Sequence, residues 1–214
     1  MKLFCLLAAV ILTCQLTHAQ VTVSKDTGKT KNDSRVFTSV EQIPEFPGGY
    51  QAFNKYLSKN LKYPEVARLI GINGRLVLTF VVNEQGHIVD ATPITCMGAG
   101  CEAEGVRLLE ASPTWKPGIM DGVPVRVSYS IPIDFSLGNE KVTTYMRYLR
   151  NSEYGFVFNI KGVLYTIDEA EKILGKTFPS DQIEVAEPFY NYNKVEKFEM
   201  PDKKEVYLII LKKS

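Results

Sequence analysis

The most regular stretch of the chain is Val125–Phe135, which reads Val-Arg-Val-Ser-Tyr-Ser-Ile-Pro-Ile-Asp-Phe. Apolar residues alternate with polar ones along it. This period of two predicts a strand with one face buried and the other in water. Proline cannot donate a hydrogen bond to a neighbouring strand, so Pro132 predicts that the strand lies at the edge of its sheet.

The same proline predicts which backbone groups face the open edge. In an antiparallel strand, the N–H and C=O of one residue point to one side, and those of the next residue point to the other. Arg126, Ser128 and Ser130 lie at an even spacing from Pro132. If Pro132 faces outward, we expect these three residues to present free backbone groups there.

The residues before this strand predict helices and a strand hairpin. Phe53, Tyr56 and Leu57 recur at helical spacing, which predicts an amphipathic helix over 49–60. A short helix is expected from Pro64 to Ile70, since proline suits the first turn of a helix. The remaining patterns predict a strand over 75–82, a turn over 83–86, a returning strand over 87–95 and a helix over 102–111.

Residues 139–214 predict a second, small α+β domain. Thr166 and Glu169 have the spacing of a capping box, and Gly175 closes the helix that it opens. Strands are expected over 154–160, 163–165, 182–185 and 205–211. We interpret this block as a βαββ pattern.

Residues 1–19 have the form of a secretory signal peptide. Lys2 precedes an apolar run that is shorter than the roughly 20 residues of a membrane-spanning helix. Small residues at Thr17 and Ala19 predict cleavage before Gln20. Two alternatives stay open: an uncleaved anchor, and a lipoprotein acylated at Cys14.

After such cleavage the chain keeps two cysteines, Cys96 and Cys101. In an oxidising compartment a pair of this kind usually forms a disulfide. The alternative, a redox-active pair, favours two intervening residues rather than the four found here. We therefore expect a Cys96–Cys101 disulfide. With His87 as the one remaining histidine, we expect no metal site.

Composition and missing motifs restrict the function classes. The 25 Lys and Arg residues nearly balance the 24 Asp and Glu residues, which argues against nucleic-acid binding. The hydrophobic content of 45% is that of an ordinary globular protein. The sequence contains no GxSxG, HExxH or phosphate-loop motif. We therefore expect neither an enzyme nor a bound cofactor.

Several segments resemble, in order and spacing, the C-terminal domain of TonB, the energy transducer of gram-negative bacteria. They are Glu45–Gly49, Lys62–Glu65, Gly71–Leu76, Phe80–Gly86, Trp115–Gly118 and Pro124–Ile133, which together cover about residues 40–136. Residues 155–213 also resemble in part the plug domain of outer-membrane receptors. That likeness rests mainly on Ile160–Gly162 and Leu208–Lys213.

The resemblance implies a three-stranded antiparallel sheet packed by two helices. It also implies that the TonB box, a short peptide of an outer-membrane receptor, adds as a strand to the open edge. The implied peptide-binding residues are Lys62, Tyr63, Pro64, Arg126, Val127, Ser128, Tyr129 and Ser130. Lys62 replaces a glutamine of the family pattern, which leaves the partner's sequence open. For Trp115 we expect core packing.

These expectations divide the chain into four parts. They are a signal peptide at 1–19, a flexible leader at 20–38, a TonB C-terminal-like domain at 39–138 and a small plug-like domain at 139–214.

The expected location is the periplasm, with membrane attachment only if the N-terminus stays uncleaved or is acylated. A leader of about 20 residues spans at most roughly 70 Å. A TonB transducer reaches its proton-driven motor through an uncleaved membrane anchor. Without such an anchor, this chain is therefore not expected to transmit force from that motor by itself.

Two other function classes stay open beside peptide binding. In the first, the chain is a structural or assembly protein whose edge strand is covered by residues 139–214 or by a second copy in a homodimer. Unpaired edges promote aggregation and are commonly covered. In the second, the chain is an accessory or signalling domain of the cell envelope.

Overall fold

The computed structural model describes residues 35–138, 143–190, 192–194 and 196–212. They belong to one compact unit, Ser34–Ser214. The predicted signal peptide 1–19, the acylation site at Cys14 and residues 20–34 of the leader lie outside the described residues. Among the helices that are described, none is long and apolar enough to cross a membrane.

Residues 35–138 fold into a sheet with helices packed on it. The strands are β1 Val36–Phe37, β2 Gly74–Val82, β3 Ile88–Pro93, β4 Gly118–Met120 and β5 Val123–Phe135, and the helices are α1 Gly49–Asn60, α2 Glu65–Ile70 and α3 Cys101–Glu110. The strand order is β1-β5-β2-β3, with β4 paired to β5. Strand β2 is antiparallel to both of its neighbours, whereas β1 joins β5 in parallel.

The mixed α+β class agrees with the prediction, but the sheet is larger than the three strands that the resemblance implies. The additional strands are β1 and β4, which have two and three residues. Strands this short leave no hydrophobic period in the sequence. One of them, β1, lies in the segment predicted to be a flexible leader.

The core of this part lies between the sheet and the helices. Strand β2 buries Leu76 and Leu78 completely, and α3 packs across them. A Cβ atom on Gly105 of α3 would lie 2.5 Å from Cδ2 of Leu76, so a larger residue there would force the Leu76 side chain to move. Helix α1 reaches the same core through Phe53, whose ring centroid lies 5.6 Å from that of Trp115.

The described residues from 143 onward form a second sheet with helices and a short strand pair. The elements are β6 Thr143–Tyr145, α4 Met146–Asn151, β7 Gly155–Ile160, β8 Val163–Tyr165, α5 Ile167–Leu174, β9 Thr177–Pro179, β10 Ile183–Pro188 and β11 Val206–Leu211. Short 3₁₀ turns lie at Ser180–Gln182, Tyr192–Lys194 and Glu196–Phe198. The sheet has the order β10-β11-β7-β8, and β6 pairs with β9.

This arrangement differs from the predicted βαββ pattern. The strands predicted before the helix are present as β7 and β8, joined by a tight turn at Lys161 and Gly162 with φ of 54° and 87°. The difference lies in α4 and the strand pair β6–β9, which the predicted pattern did not include. The capping box itself is present. The Thr166 hydroxyl accepts the Glu169 N–H, and the Glu169 carboxylate accepts the Thr166 N–H. The helix therefore begins where the sequence predicted.

The two parts of the described chain share one hydrophobic core. Ile70 of α2 and Leu149 of α4 belong to the same buried cluster. The Thr144 hydroxyl donates to the Ile70 carbonyl at 2.9 Å, and the Tyr154 hydroxyl donates to Glu65 Oε2 at 3.0 Å. The domain boundary near residue 138 stays a prediction, and the core is continuous across it.

Candidate functional site

Strand β5 has different partners on its two edges. The inner edge pairs with β2 from Val127 to Phe135. The outer edge, on the side away from β2, pairs with β1 where Arg126 and Val127 lie opposite Val36 and Phe37. A parallel partner opposite Val127 bonds to the residues on either side of it, which are Arg126 and Ser128. The prediction of free backbone groups is therefore wrong for Arg126 and for the Ser128 N–H.

The outer edge becomes open after this point. Val77, which lies opposite Pro132, turns its backbone toward the β3 side, because its carbonyl accepts the Ile94 N–H at 2.7 Å. The backbone groups of Pro132 therefore face outward, and those of Ser130 and Asp134 share that orientation. No strand within the described ranges pairs with this side of β5 beyond Val127.

The side chains of β5 alternate between the core and solvent. Ile131 is buried, whereas Ser130 is exposed and Ser128 half-buried on the opposite face. Tyr129 is half-buried on the core face, with its ring centroid 6.3 Å from that of Trp115. Trp115 is itself buried, as expected for a core residue.

The predicted site segment Lys62-Tyr63-Pro64 connects α1 to α2. Lys62 has an exposed side chain, while Tyr63 and Pro64 are half-buried. The Tyr63 ring packs edge-on against Phe135 at 5.6 Å between centroids, and its hydroxyl donates to the Ile72 carbonyl. Burial raises the pKa of Tyr63 to about 12, so it stays a neutral donor at neutral pH.

The buried carboxylate of Glu104, on α3, holds this segment in place. Glu104 Oε1 accepts the Lys62 N–H at 2.6 Å, and Arg107 donates to both carboxylate oxygens at 2.7 Å. Arg107 also donates to the Asn60 carbonyl at 2.8 Å. Burial alone would raise the pKa of Glu104, but the hydrogen bonds from Arg107 and Lys62 lower it instead. The pair therefore stays ionised and holds the chain between α1 and α2.

The structure also shows a groove that the sequence did not reveal. It has a volume of about 560 Å³ and lies beside the open edge. Its lining residues, called here the aromatic groove, are Glu41, Gln42, Ile43, Pro44, Glu45, Phe46, Tyr50, Phe53, Trp115, Tyr129 and Ile131. The wall formed by residues 41–46 is fixed by backbone bonds: Ile119 N–H donates to Gln42 at 2.9 Å, and Lys116 N–H donates to Glu45 at 2.8 Å.

The predicted site residues thus fall into two groups. Ser128, Tyr129 and Ser130 lie along β5 next to the aromatic groove. The segment Lys62–Pro64 meets the far end of β5, where Tyr63 contacts Phe135. The groove was missed because its walls come from distant parts of the chain. The motif Glu45-Phe46, noted only for its resemblance, lies in one wall and is the signal that could have indicated it.

The structure differs from the prediction at the two cysteines. Both are free thiols, with Cys96 exposed and Cys101 buried at the start of α3. The loop between them is held in another way, since the Ala99 N–H donates to the Ala186 carbonyl of β10 at 2.6 Å. Burial raises the pKa of the Cys101 thiol to about 12. The predicted Cys96–Cys101 disulfide is absent from this structure.

Comparisons with known proteins agree with this fold. Residues 59–137 match the family described as Gram-negative bacterial TonB protein C-terminal. A curated relative named Protein TonB, from Vibrio cholerae serotype O1, is 37% identical over 78 residues. These residues make up 36% of this chain and 31% of the relative, so the chain spans about a third of that protein's length. No solved structure matches the chain.

The family match covers the part of the chain that contains the open edge. It begins in the last turn of α1 and ends just after β5. The likeness of residues 155–213 to a receptor plug lies beyond the matched residues and stays a prediction. Residues 59–137 are thus similar to the TonB C-terminal family, which confirms the resemblance seen in the sequence motifs.

Proposed function

We propose that this chain binds an extended peptide by strand addition at the outer edge of β5, as part of energy-coupled transport across the outer membrane. The proposed partner is the TonB box of an outer-membrane receptor. The observation that carries the proposal is the outward backbone of Ser130 and Asp134, which has no strand partner among the described residues. Main-chain hydrogen bonds supply the affinity in this binding mode, and side-chain pockets supply the specificity.

The predicted site residues have different parts in this proposal. Tyr129 and Ser130 contact the guest peptide directly. Arg126 and the Ser128 N–H become available only when β1 leaves, whereas the Val127 backbone faces β2. The segment Lys62–Pro64 acts at a distance, because Tyr63 supports the end of β5 through Phe135.

We place the protein in the periplasm by the same proposal. The family match comes from a protein of the gram-negative envelope, and residues 1–19 have the pattern of an export signal. An uncleaved N-terminus or an acylated Cys14 would attach the domain to a membrane.

A proline substitution tests strand addition at one hydrogen bond. Ser130→Pro removes the outward N–H, whereas Ser130→Ala keeps it and removes only the hydroxyl. We expect Ser130→Pro to weaken the binding of a TonB-box peptide about 5- to 10-fold, as for the loss of one backbone hydrogen bond, and Ser130→Ala to leave it nearly unchanged. Calorimetric titration measures both. Equal affinities in a folded Ser130→Pro protein would contradict the proposal.

The second candidate function is that of an assembly protein whose edge is covered by its own chain. The pairing of β1 with Arg126 and Val127 favours it, since part of the edge is already covered. Strand β10 contacts the loop at Gly98 instead of β5, so the described C-terminal strands do not provide that cover. Sedimentation of the full chain distinguishes the cases. A homodimer that dissociates when TonB-box peptide is added would support exchange of strands between copies.

A further inference from the structure

We propose that the guest peptide carries one large apolar side chain, aromatic or branched aliphatic, that fills the aromatic groove while the peptide backbone pairs with the outer edge of β5. This inference rests on the proposed function and names the chemistry of the segment that the site selects. It assigns specificity to residues 41–53 and Trp115, which are outside the predicted site.

The alternation of side chains determines which guest residue faces the groove. Directly opposite residues on neighbouring strands project from the same face of a sheet. Tyr129 and Ile131 project from the core face of β5, where both line the groove. A guest residue opposite either of them therefore projects into the groove. A guest residue opposite Ser130 projects from the other face, into solvent.

Strand β1 shows how this edge receives a segment. Phe37, opposite Val127 on the core face, is half-buried, whereas Val36, opposite Arg126 on the other face, is 45% exposed. The edge thus already accepts an aromatic side chain on its core face. The groove lies two residues further along β5, at Tyr129, in the direction in which the edge is open.

The composition of the groove matches an apolar occupant. Its floor is apolar, since Phe53 and Trp115 are each 5% exposed. Its rim holds Tyr50 and Ile43, which are 77% and 62% exposed and are among the most exposed large apolar residues described. A volume of about 560 Å³ lies within the range of about 300–1,000 Å³ that is usual for ligand pockets. An inserted apolar side chain would cover both rim residues.

A substitution scan of the peptide tests the inference with the full chain. Each position of a TonB-box peptide is replaced in turn by Phe and by Ala, and the affinity of each is measured by calorimetric titration. We expect one position, or two positions separated by one residue, at which Phe binds about 10-fold more tightly than Ala. At the intervening positions the two peptides should bind equally.

A substitution at the rim tests whether the preference for Phe over Ala arises in the aromatic groove. Tyr50→Ala should reduce the preference for Phe over Ala to about 3-fold or less, because it removes one side of the groove. The matched control is Tyr148→Ala, an exposed tyrosine of α4 outside the groove, which should keep the full preference. Tyr50 is largely exposed, so its replacement leaves the core intact.

The outcomes separate this inference from the proposed function. If peptides shift the amide signals of Ser130 and Asp134 but no position prefers Phe, the groove is not a specificity pocket and strand addition still holds. If the preference survives Tyr50→Ala unchanged, the groove assignment is likewise overturned. If no peptide binds or shifts these signals, the proposed function itself fails.

Discussion

The carboxylate of Glu104 holds the connection between α1 and α2. It is only 8% exposed and accepts hydrogen bonds from Lys62 and Arg107. The segment that it holds contains Tyr63, which supports the end of β5 through Phe135. Sequence inspection identified Glu104 only as an acidic residue in the first turn of a helix, because its partner Lys62 is 42 residues away.

Glu104→Ala should destabilise the fold by about 2 kcal/mol, because it leaves the Lys62 N–H and the Arg107 guanidinium without their acceptor. Glu104→Gln is the matched control, since its amide oxygen can still accept the Lys62 N–H. We expect it to lose less. Urea denaturation measures both variants, and equal stability of Glu104→Ala and the unmodified protein would show that these bonds contribute nothing.

The stability that Glu104 provides should depend on pH. Its pKa in the folded chain lies below the ordinary value of 4.5, so its contribution is complete above pH 4.5 and is lost as the pH falls through the lower folded pKa. The difference in unfolding free energy between the unmodified protein and Glu104→Gln should therefore shrink below pH 4.5. Denaturation at a series of pH values checks this, and a constant difference would exclude an ionised Glu104.

At the scale of elements, β1 covers part of the edge at which we propose that the guest peptide binds. It is only two residues long and is partly exposed, so its pairing is weak. Its backbone occupies the place opposite Arg126 and Val127, directly beside the open part of β5. A guest peptide that extends over the whole edge has to displace it.

Loosening β1 should therefore strengthen peptide binding. We expect the double variant Val36→Gly, Phe37→Gly to bind a TonB-box peptide about 3- to 10-fold more tightly, because less of the edge is covered in the free chain. The control is Thr38→Gly, Ser39→Gly, which adds the same flexibility just outside the strand. An unchanged affinity in the first variant would mean that β1 and the peptide do not compete.

The elements that the sequence predicted well are those with local signals. Helix α1 spans Gly49–Asn60 as predicted, since Phe53, Tyr56 and Leu57 mark its apolar face. The capping box at Thr166 placed the start of α5 in the same way. Strand β1 was missed because pairing with the distant β5 creates it. Strand β4 pairs with β5 across Asp121 and Gly122, but its three residues are too few to show a hydrophobic period.

For the candidate site as well, the sequence predicted the features with local signals and not those that depend on distant residues. The alternation and Pro132 indicated the edge strand and its outward residues, which depend on local sequence alone. The cover over Arg126 and the aromatic groove depend on where residues 36–53 and Trp115 lie in space. The spacing of Cys96 and Cys101 predicted a disulfide that this structure does not contain, and it did not reveal that Cys101 lies in the core.

At the scale of the whole molecule, the continuous core predicts one cooperative unfolding transition. Ile70, Met146 and Leu149 are fully buried in a single cluster that joins both sheets. Near-UV circular dichroism of the aromatic side chains and far-UV dichroism of the backbone should therefore give the same midpoint in urea. Two separate transitions would indicate that residues 39–138 and 139–214 fold independently.

Hydrogen exchange along β5 tests the open edge most directly. In the free full chain, we expect the Ser130 and Asp134 amides to exchange rapidly. The Ile131 and Ile133 amides, which lie between them and are bonded to β2, should exchange slowly. Adding a TonB-box peptide should protect the Ser130 and Asp134 amides and leave the others as they were. Slow exchange of both outward amides without peptide, or no added protection at saturating peptide, would contradict strand addition at this edge.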